Sequence, residues 1–183
     1  MIETITFAST NQNKFFEVQS ILLTRSIAVD FSHTHLVEIQ SDSLEEIARE
    51  KAKAAFAKVK RQIIVEDDGL FIDSLSGFPG QYSSFVFKTI GNDGILKLLA
   101  GSTNRSAYFL SMIAFYDGRI LSIFEGRVNG RITDRITEGG WGYDPIFVPD
   151  GTDLTFAELD ESKNEYSHRK RALEKFAQWY LKL

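Results

Sequence analysis

A chain of 183 residues, 43% hydrophobic and 25% charged, can bury a core of its own and has the ordinary composition of a folded protein. Its formal charge of −4 argues against a general nucleic-acid binder, and the absence of cysteine excludes disulfides and thiolate chemistry. No apolar run reaches the roughly 18 residues of a membrane span, and the N-terminus lacks a basic-then-apolar leader, so a cytoplasmic protein with no membrane or nucleic-acid partner is expected.

The residues 3–10, ETITFAST, read as a first strand, and TNQNKFFEVQSILLT as a helix with Phe15, Val18 and Leu22 at helical spacing. IAVDFSHTHLVEIQ reads as a second strand region. SDSLEEIAREKAKAAFAKV is the clearest helix: Leu44, Ile47, Ala48, Ala52, Ala55, Phe56 and Val59 form its apolar stripe, and Ser43 and Glu46 have capping-box spacing. QIIVED is a third strand, SLSGFPGQYSS a loop, and NDGILKLLAG a short helix capped by Asn92 and stopped by Gly101. SAYFLSMIAFY, RILSIFEGRV and GRIT read as strands, with a hairpin turn at Asp117-Gly118. EGGWGYDPIFVPDGTDLTF is loop-like, and the end is a helix with Leu173, Phe176, Ala177 and Tyr180 on one face. This order predicts an α/β fold: one mixed sheet flanked by helices, with a cleft between two lobes of a single domain spanning residues 1–183.

Four stretches carry chemistry. In STNQNK, Ser9 to Lys14, small and amide residues open a helix whose backbone N–H groups suit an anion, and Lys14 adds a positive charge. Helix capping by Thr10 or Asn11 explains the same residues, and no P-loop pattern is present. Glu66, Asp67 and Asp68 follow a β-branched run. Three successive carboxylates repel one another unless a cation sits among them, and a hard metal ion is the obvious candidate. Asp67 is placed to hold Mg²⁺ and take a proton from water, with Glu66 or Asp68 sharing the ion; a solvated turn beside Gly69 is the alternative. Glu46 has a capping role available, which leaves Glu38 as the better second metal ligand. In GGWGYDP, three glycines bracket Trp141, Tyr143 and Asp144, a loop able to lay a ring on a flat base or to plug the core, the commoner fate of Trp and Tyr. In KNEYSHRKRAL, Lys163, His168, Arg169, Lys170 and Arg171 gather cations at a helix start, where they oppose the macrodipole unless an anion is near. His33 and His35 have the spacing of strand zinc ligands but lack a third ligand.

Together FASTNQNKFFEV, VEDDGLFIDSLSGFPGQYS, GGWGYDPIFVPDGTDLTFAEL and KNEYSHRKRAL resemble the inosine triphosphate pyrophosphatase family, in the family's order and over nearly the whole chain. The resemblance implies a long mixed sheet with two lobes around a nucleotide cleft. It implies Mg²⁺-dependent hydrolysis of ITP, dITP and XTP to monophosphate and pyrophosphate, by a homodimer. By position, Ser9, Thr10, Asn11, Gln12, Asn13 and Lys14 match the triphosphate loop, Glu38 a metal ligand, and Asp67 the metal-binding general base. Trp141, Gly142, Tyr143 and Asp144 match the base-packing segment, and Lys163, His168 and Arg169 the remaining nucleotide contacts. Asp68 stands where many members have Ser or Thr, and binds either metal or substrate or turns outward. Trp141 stands where Phe is usual. A pyrophosphatase for other modified nucleotides and a nucleotide-binding module without catalysis are the competing readings.

Overall fold

The computed structural model describes residues 4–183; Glu3, the first residue of the expected first strand, lies outside them. Fourteen regular elements follow in the order β1 (Ile5–Ser9), α1 (Gln12–Leu23), β2 (Val29–His33), α2 (Leu44–Val59), β3 (Ile63–Ile72), β4 (Pro79–Gly80), α3 (Ser83–Thr89), α4 (Gly91–Leu98), β5 (Ser106–Tyr116), β6 (Leu121–Ile132), β7 (Phe147–Pro149), α5 (Phe156–Leu159), α6 (Lys163–Tyr166) and α7 (His168–Tyr180), with short 3₁₀ turns between some of them. The sheet has seven strands in the order β2-β1-β3-β5-β6-β7, with β4 beside β3. β1 runs parallel to β2 and to β3, while β4 is antiparallel to β3 and β7 to β6, so the sheet is mixed as expected.

The chain divides into two compact units, and the division falls inside β3, β5 and β6. The first unit runs to Asp67 and includes Ser111–Gly126 and Arg169–Leu183. Its core joins Ile5 and Phe7 of β1, Val18 and Leu22 of α1, Ile64 of β3, Phe115 of β5, and Leu173 and Phe176 of α7. The second unit, Asp68–Leu110 with Arg127–His168, packs Leu70 and Ile72 against Ile95, Phe109, Val128, Ile146, Phe147 and Phe156. Each fully buried side chain of this size contributes about 1.5–3 kcal/mol.

Most predicted elements are present, and the differences have physical reasons. β2 stops at His33, leaving Glu38 on an irregular segment before α2. β3 does not end at its acids but continues through Asp67, Asp68 and Gly69 to Ile72. Gly69 serves there as a close-approach residue rather than a turn, since a Cβ on it would lie 2.3 Å from the carbonyl oxygen of Gly80 in β4. Ser43 caps α2 by accepting from the Glu46 amide, but the Glu46 carboxylate takes the Ser41 hydroxyl at 2.6 Å instead of closing a capping box. Asn92 lies inside α4 and donates to the carbonyl of Gly142 at 3.0 Å. The two expected strands after Asp117-Gly118 are one, β6, and the expected loop after residue 138 carries β7 and α5.

Candidate active site

In the first unit, β1 delivers Ser9 to the start of α1, where the Ser9 hydroxyl accepts from the Asn11 amide at 3.1 Å. Asn11 is the N-cap, its Oδ1 accepting from the amides of Asn13 at 3.0 Å and Lys14 at 3.3 Å. Two of the orphan donors expected to meet an anion are thus occupied by the cap. Thr10, Gln12 and Asn13 are exposed, and Lys14 sends its ammonium to within 3.6 Å of Glu66 Oε2.

The expected acids separate into two environments. Glu38 and Asp67 converge on one cation, the ammonium of Lys51, at 2.6 Å and 3.1 Å. Lys51 also donates to the backbone carbonyl of Glu66 at 3.2 Å. Burial raises the Asp67 carboxyl above the usual carboxylate range, with Lys51 and Lys14 pulling back and Glu38 pushing up. Glu66 is different. It is 3% exposed, and its Oε1 accepts from the Ser111 hydroxyl at 2.7 Å. Both its oxygens lie 2.9 Å from Arg169 Nε. Its oxygens serve the protein donors Ser111, Arg169 and Lys14. Arg169 is 1% exposed and its Nη1 donates to Glu17, so it stands in an internal ion pair with Glu66 and Glu17. The conflict of a cation with the helix dipole is met by protein carboxylates.

In the second unit, Asp144 Oδ2 accepts from the amide of Trp141 at 3.2 Å and from the Lys163 ammonium at 2.7 Å. The same ammonium lies 5.0 Å from the centre of the Trp141 ring, so one loop holds a cation over an aromatic face. Gly142 has φ +60°, a left-handed conformation that lets the loop turn between the two aromatics. Tyr143 is the core plug: it is buried, its hydroxyl donates to the Ser83 carbonyl at 2.9 Å, and burial pushes its ionisation well above the usual value. His168 is buried and lies flat on Phe109, centroids 4.6 Å apart, with Nε2 3.7 Å from Asp68 Oδ2.

Lys51, Glu17 and Ser111 escaped the sequence reading. A signal existed for two of them. Lys51 interrupts the apolar stripe of α2 between Ile47 and Ala55, and Ser111 interrupts an apolar strand. Glu17 reads as an ordinary helix-surface acid.

The Ham1 family model matches residues 5–179. A dITP/XTP pyrophosphatase of Methanopyrus kandleri is 49% identical over 180 residues, covering 96% of this chain and 95% of the relative. One from Saccharolobus solfataricus is 48% identical over 171 residues, covering 92% and 89%. Among solved structures, a HAM1 protein from Coxiella burnetii superposes with a TM-score of 0.84 at 28% identity, covering 98% of this chain and all 100% of that one. The Staphylococcus aureus Ham1 protein gives 0.81 at 29% identity, covering 96% and 97%. A match this long, with relatives this similar, means that the chain belongs to the Ham1 family.

Proposed function

We propose that this chain is a nucleoside triphosphate pyrophosphatase that hydrolyses nonstandard purine nucleotides (dITP, ITP and XTP) to the monophosphate and pyrophosphate with Mg²⁺. The observation that carries the reading is the convergence of Glu38 and Asp67 on the single ammonium of Lys51. Two hard oxygen donors that already share one cation are the donor chemistry that Mg²⁺ takes. Glu38 and Asp67 would hold the ion, which when bound neutralises phosphate charge and acidifies water. The names of the relatives support the choice of substrate.

Asp67 takes the proton of the attacking water. A carboxylate whose pKa is raised by burial is a stronger base than a solvated one, and Lys51 beside it pulls that pKa back in part. Lys14 and exposed groups of residues 9–13 contact the triphosphate. Trp141 stacks on the base, while Asp144, Lys163 and His168 complete the nucleotide contacts of the second unit. Glu66 and Arg169 support the first unit from within. The chain works in the cytoplasm as a homodimer; exposed Tyr82 and Phe85 supply apolar surface suited to such an interface.

Pyrophosphate release from dITP and XTP, with dATP as the control, tests the reading. Mg²⁺-dependent release that EDTA abolishes is expected for the first two. Binding of dITP without release would make the chain a nucleotide-binding module.

A further inference from the structure

The Lys51 ammonium meets three oxygens of the first unit: Glu38 Oε1 at 2.6 Å, Asp67 Oδ2 at 3.1 Å and the backbone carbonyl of Glu66 at 3.2 Å. Its side chain is 12% exposed, so these oxygens serve its charge more than water does. The two carboxylates differ in their setting. Asp67 projects from β3, and its Oδ2 is buried with no hydrogen-bond partner; the ammonium meets it as a charge. Glu38 is half-exposed, on the irregular segment between β2 and α2. A buried carboxylate oxygen without a hydrogen bond is costly to keep and suits a hard cation as a ligand.

Mg²⁺ takes oxygen ligands at about 2.1 Å, nearer than the ammonium stands to either carboxylate. An ion on the same two oxygens would face Lys51 as a like charge at close range, and such repulsion is strong away from bulk water. The lysine stem is flexible, and the Glu66 carbonyl is an uncharged acceptor that the ammonium can keep. We propose that Lys51 sets the metal affinity of this site by competition: its ammonium and the divalent ion claim the same two carboxylates, so the ion binds more weakly by the contacts that the ammonium gives up. The proposal rests on the metal role of Glu38 and Asp67 given under Proposed function.

Support and competition predict opposite signs. If the ammonium merely draws Glu38 toward Asp67, removing it lets the carboxylates part and metal binding weakens. If it competes, removing it frees both and metal binding tightens. Binding of Mn²⁺ alone to the purified full chain, followed by the paramagnetic resonance of the free ion, decides between them. Lys51→Met is expected to lower the Kd for Mn²⁺ roughly fivefold or more, the range of coupling between two bound species. Lys51→Gln removes the charge but keeps an N–H donor for the Glu66 carbonyl. It should act in the same direction, which keeps the test open if Lys51→Met does not fold. Lys53 stands on the same helix, exposed and paired with Glu50 at 2.6 Å. Lys53→Met removes the same charge from α2 and should leave the Kd within about twofold, because a solvated charge is screened. In a Glu38→Gln background, where one contested carboxylate is neutral, the gain from Lys51→Met should be smaller. Unchanged or weaker Mn²⁺ binding by the folded Lys51 variants overturns the proposal, as does an equal gain in Lys53→Met. So does a failure of the parent and the Lys51 variants alike to bind Mn²⁺ at millimolar concentration. A parent that releases pyrophosphate from dITP with Mg²⁺ while the Lys51 variants gain no affinity keeps the proposed function and loses the competition. Variants that gain affinity in a chain that releases none keep the competition and count against the proposed function.

Discussion

Arg169 and Glu66 form a buried ion pair in which one nitrogen, Nε, lies 2.9 Å from both carboxylate oxygens, with side chains 1% and 0% exposed. Removing one member of such a pair strands the other charge away from water. Arg169→Ala should therefore destabilise the protein by about 3–5 kcal/mol. Urea denaturation measures this directly, and a loss below about 1 kcal/mol would contradict the structural role assigned to the arginine.

Asp67 carries the opposite kind of charge, one whose burial costs stability. Its carboxyl ionises at a higher pH in the folded chain than in the unfolded one, through burial that Lys51 and Lys14 offset only in part. Below the ordinary carboxylate range both states are protonated and no cost arises. As pH rises, the unfolded chain ionises first, and the full cost is present above the folded pKa. In metal-free protein Asp67→Asn should thus raise Tm at neutral pH, by about 2–4 °C for each kcal/mol relieved in a chain of this size. The gain should vanish in acid. The same variant should lose at least about 10²-fold in turnover. A Tm that falls at neutral pH would place Asp67 among the stabilising charges instead.

Lys51 lowers the Asp67 pKa and Glu38 raises it. Lys51→Met removes the first influence and leaves the second. The acid limb of the kcat/KM profile should then move to higher pH, since Asp67 must be ionised to accept a proton. A limb that stays in place while kcat falls would assign Lys51 a contact with substrate alone.

Much of the architecture was legible because apolar periodicity reports burial directly. The stripe of α2, the eleven residues of β5 and the face of α7 are all read correctly from spacing. Asp117 shows why local turns are legible too, for its carboxylate accepts the amides of Arg119 and Ile120 within the turn itself. The continuation of β3 was not legible. Glu66, Asp67, Asp68 and Gly69 have turn composition, yet the strand runs through them to Leu70 and Phe71, which pair with β4. The candidate acids were found as a group, but their division was not, because it depends on Lys51, Ser111 and Arg169, which lie 15, 45 and 103 residues from Glu66. The cations at the start of α7 were read as needing an anion. Beside Arg169 the anions that the structure supplies are the carboxylates of Glu66 and Glu17.

The proposed homodimer is checked by mass. Light scattering at micromolar concentration should report twice 20.7 kDa. Charged replacements at Tyr82 and Phe85 should shift the mass toward one chain if that surface forms the contact; an unchanged dimer would place the interface elsewhere.

The most direct test of the central claim is pyrophosphate release by the purified full chain, with dITP and with dATP at equal concentration, with Mg²⁺ and with EDTA. The account predicts Mg²⁺-dependent release from dITP, little from dATP, and loss of release in both Glu38→Gln and Asp67→Asn. Metal-independent release, or full activity without either carboxylate, would contradict it.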